Sequence, residues 1–151
     1  MAHIHIVYGT TGGNTQIVMD MVRVVLEEKG HSVKQEKAEV ADLGHLLTND
    51  CLILASPTYG HGQLEDHFKN TFWKEVHTID LDLSHHACAV VGLGDPKYDD
   101  DYNIESAVIL KKFMEDRGGE MIIENLAINR SPLPQLETTV RAWAEKLSSL
   151  L

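Results

Sequence analysis

The stretch Gly9-Thr10-Thr11-Gly12-Gly13-Asn14-Thr15 lies between a short alternating apolar run, His3 to Val7, and a segment of helical periodicity. Its glycines let the backbone turn tightly and bring N–H groups toward an anion. A helix starting at Asn14 adds N–H donors that have no intrahelical partner, together with a favourable dipole. Thr10, Thr11 and Thr15 supply hydroxyls, and Asn14 an amide. No Lys or Arg lies in the loop, so the chemistry on offer is capture of a phosphate by neutral dipoles. A Gly/Thr turn that merely caps a helix has the same composition. The missing lysine excludes a Walker A loop, and the spacing is not the G-x-G-x-x-G of a dinucleotide site.

Two further loops pair an aromatic with glycines. Ser56-Pro57-Thr58-Tyr59-Gly60-His61-Gly62 follows the apolar run Cys51 to Ala55, and Gly92-Leu93-Gly94-Asp95-Pro96-Lys97-Tyr98-Asp99-Asp100-Asp101-Tyr102 follows Ala87 to Val91. A tyrosine from each, opposed across a slot, would stack on the faces of a planar ring. Taken singly, each is an ordinary half-buried loop anchor. Asp95, Asp99, Asp100 and Asp101 would surround that ring with negative charge. Histidine ordinarily changes charge near neutrality, so His61 would make the chemistry pH-dependent, unless it is simply a solvated loop residue. Nine histidines invite a metal site, but His85-His86 and His3/His5 have no matching Cys, Asp or Glu spacing, and none is expected.

The elements that must position these loops alternate along the chain. His3 to Val7 reads as a first strand, and Ile17, Val18, Met21, Val22 and Val25 mark one face of a helix over 14–29, stopped by Gly30. Ser32 to Glu36 is a polar edge strand, Cys51 to Ala55 one buried on both faces, and Ala87 to Val91 a fourth. Leu64, Phe68 and Phe72 predict a short helix; Ile104, Ala107, Val108 and Met114 predict another, ending at Gly118-Gly119. Met121 to Ile128 is a fifth strand without a long insertion, and Leu136, Val140, Trp143, Ala144 and Leu147 mark a last amphipathic helix. Strand–helix alternation predicts one α/β domain over 1–151: a three-layer doubly wound sandwich with a five-stranded parallel sheet, order 2-1-3-4-5, and helices on both faces. Right-handed crossovers collect the loops after the strands at one sheet edge, where ligands bind.

Acidic residues outnumber basic ones, 23 to 13, for a formal net charge of −10, which argues against nucleic acid and anionic membranes and favours a basic protein partner. No apolar run reaches membrane-span length, and the N-terminus lacks the basic and long apolar regions of a signal peptide. Cys51 and Cys88, both in apolar runs, read as buried reduced thiols of a reducing, cytoplasmic compartment.

Ile6-Val7-Tyr8-Gly9-Thr10-Thr11-Gly12-Gly13-Asn14-Thr15 resembles the phosphate-loop signature of the flavodoxins. Ser56-Pro57-Thr58-Tyr59-Gly60 is similar to their second flavin loop, and Gly94-Asp95-x-x-Tyr98 to their third. The resemblance runs in order along essentially the whole chain, and the fifth strand is like that of the short-chain subgroup. It implies a monomeric one-electron carrier of low potential, not an enzyme, with a non-covalent FMN and basic donor and acceptor proteins docking on the acidic face around it. Thr10, Thr11, Gly12, Gly13, Asn14 and Thr15 would then hold the phosphate. Ser56, Pro57, Thr58, Tyr59, Gly60 and His61 would line the ribityl chain and inner ring face, with Gly60-His61 where the family's reduction-linked peptide rotation occurs. Leu93, Gly94, Asp95 and Tyr98 would cover the pyrimidine edge and outer face, with Tyr102 nearby. Two positions depart from the family pattern: Gly12 replaces a hydroxyl residue, and Met19 a small residue packed against the sheet.

The same fold serves other readings: an NAD(P)H-dependent FMN or quinone reductase, or a specialised flavodoxin-like partner such as an activator of manganese ribonucleotide reductase or a biotin-synthesis helper. A phosphoacceptor receiver domain is disfavoured, since Leu52 to Ser56 ends without the Asp it needs.

Overall fold

The computed structural model describes residues 1–59, 62–94 and 104–151. In chain order these form β1 (His3–Tyr8), α1 (Asn14–Glu28), β2 (Ser32–Lys37), β3 (Cys51–Tyr59) and a short β4 (Gln63–Leu64). Helices α2 (Asp66–Phe68) and α3 (Lys74–Val76) are joined through a π-helical turn, Lys69–Trp73. Then come β5 (Ala87–Gly94), α4 (Glu105–Asp116), β6 (Glu120–Met121), β7 (Leu126–Asn129), a second π-helical turn, Leu136–Val140, and α5 (Arg141–Leu150).

The sheet runs β2-β1-β3-β5, with β6 and β7 both alongside β5, and every pairing is parallel except that of β4 with the end of β3. Counting β6 and β7 as one position gives the expected 2-1-3-4-5 order. Strand side chains alternate between faces, so a strand covered on both must be apolar at every position. Cys51, Ile53 and Ala55 face a core with Ile4, Ile6, Val18, Val22, Trp143 and Leu147. Leu52 and Leu54 face the other, with Phe68, Phe72, Leu110 and Phe113. Met19, the large residue at a small-residue position, is fully buried in the first core. Polar β2 is the half-exposed edge.

The structure revises several expected boundaries. The third strand does not stop at Ala55 but continues to Tyr59, and the fourth continues to Gly94, so Ser56–Tyr59 and Gly92–Gly94 are extended strand ends. Leu64 belongs to β4, which hydrogen-bonds back onto Thr58 and Tyr59. The fifth strand is interrupted: residues 122–125 separate β6 from β7, and the Glu124 carbonyl accepts the Trp143 indole N–H at 2.8 Å. Val108 is 48% exposed on the outer side of α4, while Leu110 and Phe113 enter the core. Cys51 and Cys88 are buried free thiols, and burial pushes both up to about 12. No helix among the described residues is long and apolar enough to cross a membrane.

Candidate functional site

The carboxyl ends of β1, β3, β5 and β7 surround a cleft of about 270 Å³. From the first loop, Thr10, Thr11, Gly12, Asn14 and Thr15 line it; Pro57, Thr58 and Tyr59 come from the end of β3, and Leu93 and Gly94 from the end of β5. Of the expected site residues, Gly13 and the buried Ser56 do not line the cleft. Gly60, His61, Asp95, Tyr98 and Tyr102 lie outside the described residues.

The first loop turns directly into the N-terminus of α1. Gly13, in the left-handed region at φ 91°, is the N-cap of α1, and no side chain caps that helix. The first turn of α1 also has no acidic residue, so the positive end of its dipole is uncompensated. Thr10 Oγ1 accepts the Gly13 N–H at 2.8 Å and fixes the loop. Thr15 is buried, and its hydroxyl has no hydrogen-bond partner among the described residues. Buried hydroxyls are normally satisfied, and this one, at a helix N-terminus beside the cleft, is placed to donate to a ligand oxygen. At Gly12 a Cβ would meet nothing within 4 Å, so the loop opens outward there. A phosphate fits this donor set.

Thr11 is differently occupied. Its hydroxyl donates to Glu65 Oε1 at 2.8 Å, so it braces the loop from below. Glu65 is fully buried and also accepts the His67 and Phe68 N–H groups at 2.9 and 2.8 Å, capping α2. Burial opposes its charge, but the two backbone N–H groups, Thr11 and His67 together hold its carboxyl below the ordinary value. His67 is exposed, and its hydrogen bond to Glu65 raises its pKa. Ser56 Oγ accepts the Glu65 N–H at 3.0 Å, so Ser56 positions this carboxylate and leaves the cleft wall to Pro57 and Thr58. Thr58 Oγ1 accepts the Ser106 N–H at 3.1 Å, tying the start of α4 to the end of β3.

Two residues escaped sequence reasoning. Glu65 is an acid immediately before a helix, a recognisable cap signal, but its pairing with Thr11 spans 54 positions. Arg130, just after β7, lines the cleft. Its signal was the rule that loops after parallel strands share one edge, applied above to only three of them.

A doubly wound parallel sheet with a neutral, helix-borne anion cradle at its carboxyl edge defines a mononucleotide-binding α/β protein. Comparison with known proteins narrows the class. The flavodoxin family model matches residues 6–143. Probable flavodoxin 2 of Bacillus subtilis (strain 168) is 30% identical over 133 residues, 87% of this chain and 85% of that protein. The structure of oxidised flavodoxin 2 from Bacillus cereus superposes with a TM-score of 0.87 at 30% identity, covering 99% of this chain and 100% of that one. A Streptococcus pneumonia flavodoxin gives a TM-score of 0.87 at 27% identity, with 99% and 100% coverage. The chain belongs to the flavodoxin family. Flavodoxins are electron-transfer proteins built around FMN.

Proposed function

We propose that residues 1–151 act as one FMN-binding domain that shuttles single electrons at low potential between basic partner proteins. The observation that carries this reading is the unpartnered, buried Thr15 hydroxyl at the uncapped start of α1, set at the carboxyl edge of the sheet in a member of the flavodoxin family. Bound FMN supplies reversible redox chemistry in one-electron steps.

The chain supplies the rest. The Thr10, Asn14 and Thr15 side chains and the N–H groups of Gly12, Gly13 and the first turn of α1 hold the phosphate. Pro57, Thr58 and Tyr59 shape the inner wall, Leu93 and Gly94 the polar edge, and Gly60, His61, Asp95, Tyr98 and Tyr102 complete the enclosure in this reading. An overall charge of −10 disfavours adding negative charge to the site and so lowers its potential; it also steers basic partners to the protein. Two buried thiols, both free, support a cytoplasmic setting.

Carrier and reductase differ in whether a nicotinamide reduces the flavin directly. The FMN-loaded protein is mixed anaerobically with NADPH, first alone and then with a catalytic amount of an NADPH-oxidising flavoprotein reductase. Bleaching of the flavin band only after the reductase is added is the expected result. Rapid bleaching by NADPH alone overturns the carrier reading.

A further inference from the structure

Among the described residues lining the cleft, Arg130 is the one charged side chain. It stands apart from the other arginines. Arg23 and Arg141 pair with glutamates, and Arg117 lies over the Phe113 ring at 4.2 Å, whereas Arg130 has no such partner among the described residues. In a chain of net charge −10, Arg130 sets a cation at the wall of the cleft.

Its position is tightly held. Asn129, the last residue of β7, pairs with Gly94 of β5, which lines the cleft. The Arg130 N–H donates to Asn129 Oδ1 at 3.0 Å. The Gln135 side-chain amide donates to the carbonyls of Asn129 and Ser131, at 3.2 and 3.1 Å, and clasps the turn on both sides of Arg130. Arg130 itself has φ 69°, in the left-handed region that an L side chain seldom adopts. A glycine would sit there more comfortably, so the guanidinium is kept at a conformational cost.

The sheet order decides which end of the ligand it meets. Going from β1 across β3 and β5 to β7 is three strand spacings, about 14 Å. A phosphate seated on the loop after β1 therefore leaves the turn after β7 at the opposite end of the cleft, toward the ring. We infer that Arg130 is the charge-balancing residue of the flavin site: it stabilises the reduced, more negative ring and raises the potential above the value that the acidic protein would otherwise impose. This rests on the FMN reading given above. The contribution of Arg130 is differential affinity for the two redox states. For a charge pair at a partly solvated site the expected ratio is about fivefold, or about 40 mV for a one-electron couple, since tenfold is 59 mV.

The test compares the FMN-loaded wild type with Arg130→Gln, Arg130→Lys and Arg130→Gly, the last suiting the left-handed backbone and so keeping the fold. Equilibrium titration with dithionite against an indicator dye gives the potentials at low and high salt; fluorescence titration gives the affinities for oxidised FMN and for riboflavin, which lacks the phosphate. The Gln and Gly variants are expected to have reduced-state affinity weakened about fivefold relative to oxidised. The Lys variant should retain the wild-type balance, the difference should shrink at high salt, and oxidised FMN and riboflavin should be affected alike. Unchanged potentials in both the Gln and Gly variants overturn the inference. So does a loss of FMN affinity that spares riboflavin, which puts the cation on the phosphate. Failure of the wild type to bind FMN would instead overturn the proposed function.

Discussion

Thr11, in the loop after β1, donates its hydroxyl to the buried carboxylate of Glu65 at the start of α2, 2.8 Å away. This single contact joins the phosphate cradle to the segment that follows the β3 wall, so the two sides of the cleft share one anchor. It also puts a full negative charge, shielded by four hydrogen-bond donors, beneath the loop proposed to hold the phosphate. Those donors make that charge tolerable, because an unpaired buried carboxylate would be strongly disfavoured.

Glu65→Ala should therefore cost about 2–4 kcal/mol of apo-protein stability, since it leaves two helix N–H groups and the Thr11 hydroxyl without an acceptor. Urea unfolding of the variant and of Thr11→Val, closed as a double-mutant cycle, should give a coupling of about 0.5–3 kcal/mol. Additivity would show that the contact does not link loop and helix.

The same carboxylate sets an acid limb of stability. Its folded pKa is lowered, so its contribution is fully present above the ordinary carboxylate value and is lost as pH falls through the folded value. His67 has the opposite sign: its pKa is raised, so its share is present below 6.5 and lost as pH rises through the folded value. Glu65→Gln should flatten both limbs of the stability–pH curve, and an acid limb of unchanged slope would assign it to other carboxylates.

Thr15→Val separates a ligand-binding hydroxyl from a structural one. Removing a buried hydroxyl that has no partner should leave the apo-protein as stable as the wild type or more so, whereas FMN affinity should fall about tenfold, the worth of a charge-assisted hydrogen bond. Loss of apo stability with unchanged affinity would make Thr15 a structural residue.

Gly12 and Gly9 predict opposite responses within one loop. A side chain at Gly12 meets open space, so Gly12→Ser should fold normally and bind FMN more tightly by adding a hydroxyl donor. At Gly9 a Cβ would come within 2.6 Å of both Glu65 Oε2 and Phe68 Cβ, so Gly9→Ala should destabilise by about 1–3 kcal/mol. Thermal unfolding and FMN titration of the pair check both directions.

Much of this was legible in the sequence because it is written in local periodicity. The unbroken Cys51–Ala55 run announces burial on two faces, and Gly9–Thr15 between a strand and a helix announces an anion site. What was not legible depends on contacts far apart in the chain. Tyr59 extends β3 because Gln63 turns back to pair with it, and the break between β6 and β7 accompanies the bond from Trp143 to the Glu124 carbonyl. The Thr11 hydroxyl donates to a carboxylate 54 residues away, a pairing that no local pattern announces. Arg130 follows the strand whose trailing loop carried no glycine or aromatic signal, and only the sheet order shows that it reaches the same cleft.

The central claim is that the edge formed by β1, β3 and β5 holds FMN through its phosphate. Titrating the apo-protein with FMN and, separately, with riboflavin, while following flavin fluorescence, tests it most directly. Saturation at one FMN per chain, with riboflavin bound at least about tenfold more weakly, is the predicted result. No saturable FMN binding, or equal affinity for the two flavins, would contradict it.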